Sequence, residues 1–110
     1  MAKNPPDLLQ GTLDMLVLKS LQDGSNHGYS ISLQIRKISN DALKIEHGSL
    51  YPALYRLEKK GWIHSDWGIS EHNRRARFYK LTPTGRKHLG AETSNWVRTS
   101  AAINLVLKVV

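Results

Sequence analysis

The stretch Gly48–Leu81, GSLYPALYRLEKKGWIHSDWGISEHNRRARFYKL, decides the fold class. A proline fits the first turn of a helix, where its missing N–H is not needed, so Pro52 predicts a helix that starts at Gly48 or Ser49. Leu50, Leu54 and Leu57 then fall at i, i+4 and i+7 as its inward stripe, and Gly61 ends it. Beyond Gly61 the apolar period falls from 3.6 towards 2. Trp62–Ile69 and Arg75–Leu81 read as two strands, joined into a hairpin by the polar run Ser70-Glu71-His72-Asn73-Arg74. Arg75, Arg77, Tyr79 and Leu81 share one face of the second strand, and Ala76, Phe78 and Lys80 share the other. Basic side chains on both faces predict a hairpin that protrudes into solvent.

On the N-terminal side, a helix is expected from Asp7, after Pro5-Pro6, with Asp7 and Gln10 at capping-box spacing. Leu9, Leu13, Leu16, Val17 and Leu21 are its buried stripe, and Gly24 is its stop. Ser25-Asn26 offers the cap of a second helix from His27 or Gly28, with Ile31, Ile35 and Ile38 on one side and Arg36 and Lys37 on the other. Leu43-Lys44-Ile45 alternates and reads as a short extended segment. On the C-terminal side, Thr82 at N-cap and Pro83 at N1 open the last helix. From Leu89 a 4-3 spacing selects Leu89, Thr93, Trp96, Ser100, Ile103, Leu107 and Val110, the seam of a helix that packs along another helix. Leu89, Trp96, Ile103 and Leu107 are expected at a contact with a second copy of the chain.

The sum is a mainly α fold with a small β-hairpin, a winged helix-turn-helix plus a long C-terminal dimerisation helix. Residues 1–81 are expected to form the DNA-binding part and residues 82–110 the dimerisation helix, within one structural domain.

At 110 residues the chain supports one modest core, burying roughly two thirds of its unfolded surface. It has no cysteine, which excludes disulfides, Cys-ligated zinc and a thiol nucleophile. No apolar run approaches a membrane span, and Met1–Pro6 lacks the apolar stretch of a signal peptide, so a soluble, cytoplasmic protein is expected. Residues 1–55 carry five basic and five acidic side chains. Residues 56–87 carry nine basic against three acidic, so nearly all of the net +7 falls in one third of the chain. A positive field that concentrated is the footprint of a polyanion-binding surface, because each Lys or Arg near a phosphate releases condensed counterions.

The arrangement places this charge where a winged helix meets DNA. Arg56, Lys59 and Lys60 lie on the expected recognition helix, Arg74, Arg75 and Arg77 at the hairpin tip, and the helix N-terminus aims open N–H groups at a phosphate. Tyr51, beside Pro52 and Ser49 in the first turn, is read as facing DNA; Tyr55 suits DNA contact and packing against the wing equally. Trp62 and Trp67 are read as packing at the base of the wing, and His27 as a cap or packing residue.

Leu9-Gln10-Gly11-Thr12-Leu13, His27-Gly28-Tyr29, Gly48-Ser49-Leu50-Tyr51-Pro52-Ala53-Leu54, Arg56-Leu57-Glu58, Gly61-Trp62-Ile63, Arg74-Arg75-Ala76-Arg77-Phe78-Tyr79 and Leu81-Thr82-Pro83-Thr84-Gly85 resemble the PadR family of phenolic-acid-responsive transcriptional repressors. The likeness, to the short form with one C-terminal helix, spans nearly the whole chain. It implies a homodimeric repressor on a near-palindromic operator in double-stranded DNA. Ser49, Tyr51, Pro52 and the wing arginines match the positions at which family members touch DNA. The expected DNA-contacting set is therefore Ser49, Tyr51, Pro52, Tyr55, Arg56, Lys60, Arg74, Arg75 and Arg77.

Trp96, with Thr93 and Ser100 one turn to either side, is expected to pack at the dimer seam; as a second role it stacks a small aromatic effector whose binding releases DNA. No enzyme is expected, since Gly-x-Gly-x-x-Gly, P-loop, Gly-x-Ser-x-Gly and His-Glu-x-x-His motifs do not occur. No cofactor or metal is expected either, because nothing in the spacing of His64, Asp66 and His72 makes them converge. The competing reading is a winged-helix protein-interaction module that does not bind DNA, which would share the fold but not the basic tip.

Overall fold

The computed structural model describes Leu8 and residues 10–109. Its elements run α1 (Gln10–Ser20), β1 (Asn26–His27), α2 (Gly28–Ile38), α3 (His47–Lys59), β2 (Ile63–Ile69), β3 (Arg75–Leu81) and α4 (Pro83–Leu107). The three strands form one antiparallel sheet in the order β1-β3-β2. Asp7, Leu9 and Val110, invoked above for the first helix and the seam, lie outside the described residues.

The core forms where the apolar stripes meet. Leu13, Val17, Leu18 and Leu21 come from the first helix and the turn after it, Ile31 and Ile35 from α2, and Leu50, Ala53, Leu54 and Leu57 from α3. Ile63 and Tyr79 close it from the hairpin, and Leu89 from α4. Removing this much apolar surface from water drives the assembly. Ile38 is a correction: the last turn of α2 runs past the core and leaves it 73% exposed.

Two element assignments also change. Leu43–Ile45 joins no ladder; Leu43 and Ile45 pack, partly buried, against the core from an irregular segment that follows a left-handed turn at Asn40 and Asp41. The third strand is instead Asn26–His27, paired with Tyr79 and Phe78. The cap of α2 is His27 rather than Ser25 or Asn26, its Nδ1 accepting from the Ser30 N–H at 3.4 Å. The His27 ring also packs edge-on against Phe78 at 5.4 Å, so it both caps and packs.

The second change is that α3 starts at His47, one or two residues earlier than Pro52 predicted. Pro52 therefore sits in the second turn, where its missing N–H leaves the carbonyl of the exposed Gly48 without its helix partner.

The hairpin register is Ile63↔Leu81 through Ile69↔Arg75, closed by Asn73 in the left-handed region and by the Ser70 N–H bonded to the Arg74 carbonyl at 2.7 Å. Thr82 caps α4 as expected, its Oγ1 accepting from the Gly85 N–H at 3.0 Å and donating to the Gly61 carbonyl at 2.7 Å. Helices in this order, followed by a hairpin set beside α3, are a winged helix-turn-helix with a long fourth helix.

Candidate nucleic-acid interface

The buried stripe of α3 leaves Ser49, Tyr51, Pro52 and Tyr55 on its outer surface, all exposed. Glu46 makes no side-chain cap, so the N–H groups of His47 and Gly48 stand open at the exposed end of the helix. Tyr51 leans on α2, where a Cβ at Gly28 would lie 2.9 Å from its Cε1. That contact explains why glycine opens α2. The His47 ring meets Tyr29 and Tyr51 edge-on at 6.3 and 5.6 Å, giving the helix N-terminus an aromatic border.

From the hairpin, Arg74, Arg75 and Arg77 are exposed beside this border. The register sets Trp67 opposite Arg77. The Arg75 and Arg77 guanidinium carbons lie 4.4 and 5.3 Å from the Trp67 ring. Arg77 also donates to Ser65 Oγ from Nε at 3.2 Å and from Nη2 at 2.6 Å. Ser65 in turn donates to Glu58 of α3 at 2.5 Å. Tyr51, Arg75 and Arg77 thus border one groove of about 380 Å³ between α3 and the wing, with Tyr29, Trp67 and Tyr79 as its other ring walls. Burial lifts the Tyr79 phenol above its ordinary pKa, with the neighbouring Arg77 charge opposing the shift.

Two expected contact residues are engaged elsewhere. Arg56 turns inward, its Nη2 pairing with the buried Asp14 of α1 at 2.7 Å, and it ties α3 to α1. Lys60, past the other end of α3, lies over the Trp62 ring at 4.6 Å. Trp62 does pack at the wing base, stacked on His88 at 4.1 Å. Trp67 does not: it is 56% exposed on the wing. Trp67, Tyr29 and His47 therefore stand beside the candidate contact residues, a placement that periodicity missed. A glycine flanked by His27 and Tyr29 marked the close approach on α2, whereas Trp67 needed the hairpin register to be seen beside its arginines.

Leu89, expected at an intersubunit seam, is 4% exposed within the chain's own core. Beyond it α4 continues beside α1 as far as Thr99, and Trp96, Ile103 and Leu107 stand exposed along it. Leu105 and Val106 are about four fifths exposed and lie off the expected seam. Trp96 also borders a groove of about 240 Å³ between α1 and α4, with Met15 and Glu92 in its lining. On the wing edge His64 and Asp66 touch at 3.3 Å, and His72 lies with Glu71 at 3.9 Å. Among the described residues no helix is long and apolar enough to cross a membrane.

Residues 17–91 match the profile of the transcriptional regulator PadR-like family. A transcriptional regulator from Clostridium thermocellum is 36% identical, with 86% of this chain and 89% of that one aligned and a TM-score of 0.78. A PadR family transcription regulator from Clostridium difficile is 28% identical over 86% of this chain and 97% of that one, with a TM-score of 0.75. A transcriptional regulator of Mycobacterium tuberculosis is 32% identical over 66% of this chain and 64% of that protein. With the family profile covering more than half of a chain that has this fold, the protein belongs to the PadR-like family of transcriptional regulators, which are not enzymes.

Proposed function

We propose that the protein is a homodimeric repressor that binds a near-palindromic operator in double-stranded DNA and is released from it by a small aromatic effector. The observation that carries this reading is that Tyr51, in the exposed and uncapped first turns of α3, shares one groove with Arg75 and Arg77 of the wing. The helix places donors and side chains for base edges, and the wing adds charge for the backbone. The exposed apolar length of α4, with Trp96, Ile103 and Leu107 along it, is the kind of patch that marks a protein contact and supports a second copy there. Two copies joined there hold two reading heads at a fixed separation, as a palindrome requires. Trp96, at this seam and bordering the α1/α4 groove, is where the effector stacks.

A gel shift with the region upstream of the protein's own gene is the direct test. Retardation at submicromolar protein, abolished by excess specific duplex but not by a scrambled one, is expected. Equal binding to both sequences would remove the operator from this reading.

A further inference from the structure

The chemistry of Trp67 is not used by the fold. It is more than half exposed, and the hairpin's contribution to the core comes from Ile63 and Tyr79 instead. What it does touch is charge: Arg75 and Arg77 both lie over its ring. The two arginines differ in how they are held. Arg77 is hydrogen-bonded to Ser65, and Ser65 to Glu58 of α3. Among the described residues no side-chain hydrogen bond or ion pair engages Arg75; the indole is its sole anchor. A guanidinium lying on an aromatic face keeps its N–H donors in its own plane, so all of them stay available at the edge. A connected path therefore runs from α3 through Glu58, Ser65, Arg77 and Trp67 to Arg75, and it sets that guanidinium relative to the helix.

We propose that Trp67 is a specificity-determining positioning residue: it holds Arg75 as an oriented fork at a set distance from α3, so that the wing fits only a duplex whose groove geometry presents acceptors there. This rests on the DNA-binding function proposed above. Without the indole, Arg75 keeps its charge and its attraction to any duplex but loses its direction. The loss should then appear in discrimination between sequences and not in general DNA affinity.

Fluorescence anisotropy with the upstream duplex and a scrambled duplex of equal length, at several salt concentrations, tests this on the full-length protein. Trp67→Ala is expected to weaken the upstream duplex about tenfold, counting two wings. Affinity for the scrambled duplex, and its salt dependence, should stay within about twofold. Trp67→Phe should restore most of the difference, because a smaller ring still supports the guanidinium. In an Arg75→Ala background, Trp67→Ala should cost nothing further. Equal weakening of both duplexes, no weakening of either, or full additivity with Arg75→Ala would each overturn the proposal. A readout without DNA separates this from a failure of the DNA function itself: in the free protein the Arg75 side-chain protons should show an upfield ring-current shift that Trp67→Ala abolishes. Unshifted Arg75 protons in the unsubstituted protein would overturn the proposal whatever the DNA result.

Discussion

A Cβ placed on Gly85 would lie 1.8 Å from the carbonyl oxygen of Trp62, and that oxygen also accepts the Thr82 N–H at 3.1 Å. No side chain fits there, and the crowding group is backbone, which cannot swing aside. Gly85→Ala is expected to destabilise the protein by about 3 kcal/mol, read as a lowered urea midpoint. Gly90, on the same helix with open space around it, should accept alanine with a small gain. The Asp14–Arg56 pair makes a different residue-scale case. Asp14→Ala leaves a partly buried guanidinium without its counter-charge and should cost about 2 kcal/mol. Replacing both with leucine and methionine should recover most of that loss, because the burden is the unpaired charge and not the missing pair.

At the scale of elements, how much the sequence reveals depended on how local the determining physics is. The start of α4 was legible because Thr82 and Pro83 act within one turn. The hairpin was legible because seven residues per strand are enough to show alternation. β1 was not, since two residues carry no period and only the partner strand β3 defines them. The heptad spacing misassigned Leu89 because one spacing serves the chain's own core for a turn and solvent afterwards. Arg56 pointed outward on a helical wheel until Asp14, 42 residues away, drew it in. In the candidate interface, the exposure of Ser49 and Tyr51 was legible because it follows from the buried stripe of α3, whereas that of Trp67 beside its arginines follows from register and was not. Gly28→Ala should push the Tyr51 ring away from α2 and lower affinity for the upstream duplex several-fold, with little loss of thermal stability. At the turn, Arg74→Ala should reduce the salt dependence by about 0.9 per subunit for every sequence alike, the mark of a phosphate contact.

At the scale of the whole molecule, α4 has two parts. Its first part joins the rest of the chain through Gly85, Leu89 and, as far as Thr99, the groove it shares with α1, and its remainder carries exposed apolar side chains. Ile103→Asp should give a folded monomer by sedimentation, with DNA affinity reduced at least a hundredfold for want of the second head. Ending the chain after Gly90 keeps Leu89 in the core and should also yield a folded monomer, whereas a cut before Leu89 should not fold. The junction of Gly61, Trp62 and Thr82 then takes on mechanical meaning. It bolts the end of α3 to the start of α4 through two hydrogen bonds and a backbone contact with no slack. The bolted rod is about 37 Å long, so a tilt of about 5° at one end sweeps the other by about 3 Å. In the proposed dimer, a nudge at the distal arm would thereby be geared, through one 25-residue rod, to the pitch at which two heads straddle the duplex.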